Sequence, residues 1–194
     1  MVTRSDGSRV SRCARSLAAL LLLCAMLFPG LGQSAQPARE EDVKAAFLYN
    51  FAKFVEWPHD MVAQRGSIDV CVLGDDRLHE ALERTLRGKV VREKPIGPRR
   101  LDSAEQSGNC HLLFVSSDHL HDMPVIVDLV ERHHVLLVGE GEHFLDYGGA
   151  IAFRVENNRL RFDVDDDAAA RAGLKLSSQL LKVARHVTRK DGGR

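Results

Sequence analysis

The sequence predicts an α/β fold: a single-domain α/β sandwich on a largely parallel sheet, with a C-terminal antiparallel hairpin and flanking helices. Three observations carry that expectation. Runs rich in valine, isoleucine and leucine, Ile68–Leu73, Cys110–Val115 and Val135–Val138, alternate with amphipathic helical stretches, as strand–helix–strand units do. The latter two runs have the apolar character of strands covered on both faces. Near the end of the chain, two segments with alternating apolar and polar residues flank Asn157-Asn158, side chains that tolerate the positive φ of a tight hairpin turn.

Residues 1–32 have the layout of a secretory signal peptide and stand outside the fold. Arg4, Arg9, Arg12 and Arg15 make the basic start, Leu17–Phe28 the apolar stretch, and Pro29-Gly30-Leu31-Gly32 the small-residue end. Cleavage is expected after Gly32, with Ala35 as the second choice. The apolar stretch is shorter than the roughly 20 residues that span a bilayer. The 194-residue chain carries 27 basic and 27 acidic side chains, and the mature chain has a net charge of about −3. That balance excludes a nucleic-acid binder working through general positive charge. Of four cysteines only Cys71 and Cys110 remain after cleavage. In an oxidising compartment such a couple is most simply one disulfide, two buried free thiols being the alternative.

The mature elements follow in order. Residues 33–41 are polar, contain Pro37 and read as a flexible lead-in to a domain at 42–189, with a flexible tail at 190–194. Glu40, Glu41 and Asp42 suit a helix N-terminus. Val43, Phe47, Phe51 and Phe54/Val55 recur at helical spacing, widened by Ala45, Leu48 and Ala52, until Trp57-Pro58 stops the helix. Its circumference is mostly apolar, so the helix is buried or covered by a partner. After the strand Ile68–Leu73, Asp75 caps a helix bearing Leu78, Ala81, Leu82 and Leu86, closed by Gly88. Lys89–Val91 is a weak strand, and Lys94–Gln106, with Pro95, Gly97 and Pro98, reads as a connection. Pro124 opens a helix through Val125, Ile126, Leu129 and Val130. In the final hairpin Ile151, Phe153, Val155, Leu160, Phe162 and Val164 take one face, and Arg154, Glu156, Arg161 and Asp163 the other. Asp165 then caps one long last helix whose stripe includes Leu174, Leu181 and Val183.

Catalytic and metal motifs are sparse. His119 and His121 are two apart in a connection and His133-His134 are adjacent, so neither pair has the i, i+4 spacing of a helical zinc motif. No metal site is expected. Asp165-Asp166-Asp167 lacks the alternation and glycine of a calcium loop and suits a helix cap. Ser116-Ser117 lacks a nucleophile elbow and a committed base. Gly74-Asp75-Asp76, at a strand's carboxyl end, has no glycine-rich phosphate loop. Arg92, Lys94, Arg99 and Arg100 form a local basic stretch, either solvated or suited to anionic lipid headgroups. No catalytic residue, cofactor or enzymatic activity is expected.

Val43 to Pro58 (VKAAFLYNFAKFVEWP), the step Gly148-Gly149-Ala150-Ile151 and the stretch DVDDDAAARAGLKLSSQLLKVARHV from Asp163 to Val187 resemble the YfiR family of periplasmic regulatory proteins. The resemblance runs over the mature chain in element order and is most specific at its two ends. It implies a domain, commonly dimeric, that acts by binding. In its best-known members the partner is an inner-membrane diguanylate cyclase, restrained through its periplasmic domain, so that cyclic di-GMP and biofilm output fall. Cys71 and Cys110 match a family disulfide. Leu145 and Ala152 stand where some members carry a second, and Asp165 stands where asparagine is frequent. The charged hairpin face, Arg154, Glu156, Arg161 and Asp163, either keeps an exposed edge soluble or is the partner surface, with the phenylalanine-rich first helix as the alternative interface. Two other functions compete: a periplasmic small-ligand sensing module serving a transporter or sensor kinase, and a hydrolase with an unrecognised site.

Overall fold

The computed structural model describes residues 39–58 and 65–189. The expected signal peptide, the lead-in up to residue 38 and the tail at 190–194 lie outside the described residues. The first helix, α1, spans Glu40–Phe54, so it starts inside the stretch expected to be lead-in. Three acidic residues in its first turn and Lys53 in its last complement the helix dipole. The chain then straightens into β1 (Val55–Glu56), which pairs antiparallel with β9 (Lys175–Leu176) as a small separate sheet.

The main sheet begins with β2 (Ile68–Leu73), followed by α2 (Asp76–Leu86). Asp75 caps α2 as expected, its carboxylate accepting the Leu78 N–H at 2.9 Å. A short strand, β3 (Val90–Val91), leads into β4 (Lys94–Leu101), eight residues paired parallel to β2. This corrects the expected connection at Lys94–Gln106. β3 covers only the start of the outer flank of β4, at Lys94 and Pro95, and a flank with few ladder partners tolerates proline.

The next elements are β5 (Leu112–Val115), α3 (Met123–His133) with Pro124 in its first turn, and β6 (Leu136–Glu140). They are followed by the hairpin β7 (Ile151–Glu156) and β8 (Arg159–Asp165). Asn157 and Asn158 have φ of 50° and 59°, as the hairpin turn requires. The expected long last helix is instead α4 (Asp166–Arg171), β9, α5 (Ser178–Val183) and β10 (His186–Thr188). Asp165 caps α4 through the Ala168 N–H at 3.0 Å. Gly173, at φ +70°, turns the chain out of α4, and Ser177 caps α5. The stripe expected at Leu174, Leu181 and Val183 therefore does not exist as one face, and Val183 is 64% exposed.

The strands of the main sheet lie in the order β10-β8-β7-β6-β5-β2-β4-β3. Only the β3–β4 and β7–β8 pairings are antiparallel. Alternate strand residues feed two cores. Val70, Val72 and Phe114 pack with α1 and α2 on one face. Cys71, Leu73 and Leu113 pack with Met123, Ile126 and Val130 of α3 on the other. The central parallel strands β2, β5 and β6 are buried on both faces, which explains their apolar character in the sequence. Among the described residues no helix is long and apolar enough to cross a membrane.

Candidate interaction surface

The hairpin register sets Arg154 opposite Arg161 and Ala152 opposite Asp163, so the four expected charged residues do share a face. They are not equivalent. Asp163 is only 4% exposed. Arg185 grips its carboxylate from the loop before β10, Nε donating to Oδ1 at 2.8 Å and Nη2 to Oδ2. Arg154 approaches the same carboxylate at 3.4 Å and donates to the carbonyls of Gly141 and Glu142 at 2.7 and 3.0 Å. Asp163 and Arg154 thus tie β8 to β10 and to the loop after β6. The hydrogen bonds it donates to Asp163 hold the Arg185 guanidinium above its ordinary pKa. Glu156 and Arg161 remain exposed.

The hairpin is also not the open edge that alternation suggested. β10 lies parallel against β8, with His186, Val187 and Thr188 opposite Asp163, Val164 and Asp165. The ladder stops there, short of the hairpin tip. On the apolar face Phe153 and Phe162 are buried against α1, where the Phe51 and Phe162 rings meet edge-on at 4.9 Å. Val155, expected to be inward, is 63% exposed.

Two depressions meet at Phe47 of α1. One, of about 440 Å³, lies between α1 and the hairpin tip and is lined by Val43, Phe47, Val155 and Leu160. The other, of about 360 Å³, lies between α1 and α5 and is lined by Phe47, Phe51, Phe54, Phe162, Leu180 and Val183. Together they form a groove along the first helix, apolar towards α5 and mixed at the hairpin tip, where Glu40, Asn158 and Arg159 also line it, with exposed valines at Val155 and Val183.

At the amino end of α1 the sequence reading missed an ion cluster. Lys44 has a 7% exposed side chain, and its Nζ meets Glu140 at 2.6 Å and Glu40 at 2.9 Å. Burial would push its ammonium pKa down, but the hydrogen bonds and charges of both carboxylates outweigh it and hold the pKa above its ordinary value. The available signal was a lysine one helical turn before Leu48 on an apolar stripe. The basic stretch is largely occupied within the fold. Arg92 donates to the Val55 carbonyl at 2.8 Å, Arg100 pairs with Asp76 at 2.9 Å, and Lys94 donates to the Arg65 carbonyl.

Cys71 and Cys110 are joined, with Cα atoms 5.9 Å apart, and both are fully buried in the core beneath α3. The bond ties the middle of β2 to the entry of β5. Beside it His111 is fully buried. Its Nδ1 accepts the Asp69 N–H at 3.1 Å, and Nε2 has no partner among the described residues. Burial first, then the Arg65 charge, lowers its pKa to about 4, so the ring is neutral at pH 7.

A sequence model of a family described as YfiR/HmsC-like matches residues 41–185. This chain belongs to the YfiR/HmsC-like family. The YfiR/HmsC-like match spans every element from α1 to α5. Among solved structures the chain is similar to a conserved domain protein from Vibrio cholerae, at TM-score 0.52 and 7% identity, covering 77% of this chain and 60% of that one. The likeness is one of fold, and the chain spans only that 60% of the Vibrio protein's length. An ABC domain in complex with L-Trp from Streptococcus pneumonia overlaps at TM-score 0.45 and 8% identity, over 62% of this chain and 55% of that one.

The structure gives physical content to the segments that carried the YfiR resemblance. Gly149 of the glycine step lies against the fully buried Phe144 ring, whose Cζ is 2.9 Å from where a Cβ would stand. Gly139 of β6 meets the same ring atom at 2.6 Å, so the ring fills space that two absent side chains leave. Leu145 and Ala152, at the place of the second disulfide, contribute apolar packing to the core beneath α3. In the acidic triplet, Asp165 caps α4 and Asp166 pairs with Arg189.

Proposed function

We propose that this protein is an exported periplasmic regulator that binds and restrains an inner-membrane diguanylate cyclase through the cyclase's periplasmic domain, lowering cyclic di-GMP and biofilm output. Family membership supports the coarser reading, a periplasmic regulator of cyclic di-GMP signalling, since YfiR-like members are periplasmic regulators rather than enzymes. The observation that carries the site is the groove along α1. It is apolar towards α5, flanked by the exposed Val155 and Val183, and bordered at the hairpin tip by the charges of Glu40 and Arg159. A contiguous exposed apolar surface with a polar rim is the signature of a docking site. The buried Ser116 Oγ has no hydrogen-bond partner among the described residues, so none of them is hydrogen-bonded to it as a base.

The partner reading is tested by charge and polarity changes at exposed positions, which usually alter stability by only about 0.5 kcal/mol. Val183→Asp and Val155→Asp, both at exposed groove positions, should fold, weaken binding to the cyclase's periplasmic domain, and raise intracellular cyclic di-GMP as a deletion does. A chain lacking residues 1–32 should not complement the deletion, because it would not meet a periplasmic domain. Wild-type binding by both variants would remove the groove as the site, and unchanged cyclic di-GMP on deletion would remove the cyclase. A second copy of this chain is the competing occupant, revealed by a dimer that Val183→Asp converts to monomer without any effect on cyclase binding.

A further inference from the structure

The winding of the sheet reverses at β2. From β2 the chain crosses by α2 to β4 on one side, and later returns to β5 on the other, from which α3 follows. α2 packs on one face of the sheet and α3 on the opposite one, so the loops after β2 and β5 part and leave a crevice between the strands' carboxyl ends. Open α/β sheets bind ligands at such a point. Gly74, Asp75, Ser116, Ser117 and Asp118 line the crevice here. Ser116 is 5% exposed, and its Oγ has no hydrogen-bond partner among the described residues.

A 3₁₀ turn, Ser117–Asp122, leaves β5 at this crevice and is kinked at His119. His119 lays one ring edge over Gly74, its Nε2 3.0 Å from where a Cβ would stand. Its other nitrogen, Nδ1, lies 2.9 Å from Asp122 Oδ2, and His121 Nε2 lies 3.4 Å from the same oxygen. The ligand atoms of His119, His121 and Asp122 all fall within 4.8 Å of one another. The two imidazole rings are near parallel, 23° apart with centroids at 5.8 Å.

Asp122 sits where this turn runs straight into α3, in a right-handed helical conformation (φ −85°, ψ −5°) that offers no side-chain cap. Its carboxylate faces the two imidazoles instead. A tetrahedral zinc ion with ligand bonds of about 2.0 to 2.1 Å separates its donors by roughly 3.3 Å. The separations of 2.9 and 3.4 Å bracket that value, so small side-chain rotations admit the ion.

We propose that His119 Nδ1, His121 Nε2 and an Asp122 carboxylate oxygen bind a divalent transition cation, Zn²⁺, on the turn that leaves β5. Two imidazole nitrogens and one carboxylate oxygen are a borderline donor set that suits zinc. Three protein ligands leave the fourth position to water. Sequence spacing concealed the site because i, i+2 and i+3 is not a helical ligand pattern, and a kinked turn brings those positions together. The proposal does not depend on the groove or on a cyclase partner.

The test is zinc titration calorimetry on untagged, chelator-treated protein purified from the periplasm, together with visible spectra of the cobalt-loaded protein. The expected result is one equivalent of Zn²⁺ and the strong visible bands of tetrahedral Co²⁺. Affinity should fall at least about tenfold in His121→Ala and in Asp122→Asn, and stay unchanged in His186→Ala, a histidine exposed on β10. His121 is 73% exposed on its side chain, so its variant separates ligand loss from misfolding, and circular dichroism checks the fold. Wild-type zinc affinity in both ligand variants, or loss of binding in His186→Ala alone, would overturn the site. A titration with no zinc uptake would leave only an Asp122–His119 hydrogen bond and overturn it equally.

Discussion

Lowering the pH from neutral to about 5 protonates His111 in the unfolded chain but leaves it neutral in the folded one. The ordinary histidine pKa of 6.5 is pushed to about 4 in the fold, first by burial and then by the charge of Arg65, with Asp69 opposing. The geometry explains why the ring resists a proton. Nδ1 already accepts the Asp69 N–H, Nε2 has no acceptor among the described residues, and the Trp57 ring packs edge-to-face with the imidazole, centroids 6.1 Å apart. A proton on Nδ1 would set one N–H against another. Because the folded pKa is the lower one, the unfolded state binds more protons in this window, and stability falls as pH falls from about 6.5 towards about 4. With those two values linkage gives a loss of about 2 kcal/mol by pH 5 and about 3 kcal/mol by pH 4. Urea unfolding at neutral pH and at pH 5 measures it, with His111→Asn as the reference that removes this titration and cancels that of other groups. The wild type should lose about 2 kcal/mol more than the variant across that step. Parallel pH profiles for the two proteins would refute a buried neutral histidine at this position.

Asp163→Ala removes the carboxylate that Arg185 and Arg154 share and unlocks β10, and should cost about 1 to 3 kcal/mol by thermal or urea unfolding; a loss under about 0.5 kcal/mol would mark it as the surface residue that strand alternation suggested. Replacing Cys71 and Cys110 with alanine opens a loop of sequence separation 39, for which chain entropy gives about 4 kcal/mol before any native-state adjustment. Protein from the periplasm should therefore show no free thiol by mass measurement and should lose stability on reduction. Gly149→Ala drives a methyl into the Phe144 ring and should destabilise by about 1 to 3 kcal/mol, whereas Gly66→Ala, with nothing within 4 Å of the added carbon, should be near neutral.

What the sequence by itself determined is the local chemistry that needs no distant partner. Asp75 and Asp165 cap because their carboxylates reach an N–H three residues ahead. Asn157-Asn158 turns because both residues accept positive φ. The β5 and β6 segments read as strands buried on two sides because both faces are covered. Where the outcome depends on neighbours remote in sequence, only the tertiary structure decided it. β4 is a strand despite Pro95 and Pro98 because its outer flank has little to pair with. The last helical stretch breaks at Gly173 because Leu176 must reach Val55 and β10 must reach β8. Alternation placed Asp163 correctly on the polar face of the hairpin, but Arg185, 22 residues away, makes it an interior ion pair instead of a surface charge. His119, His121 and Asp122 lacked any recognised ligand spacing, since their meeting depends on a kink in a single turn. Local hydrogen bonds and side-chain periodicity are encoded within a few residues, whereas burial and charge pairing are set by whatever the fold brings alongside.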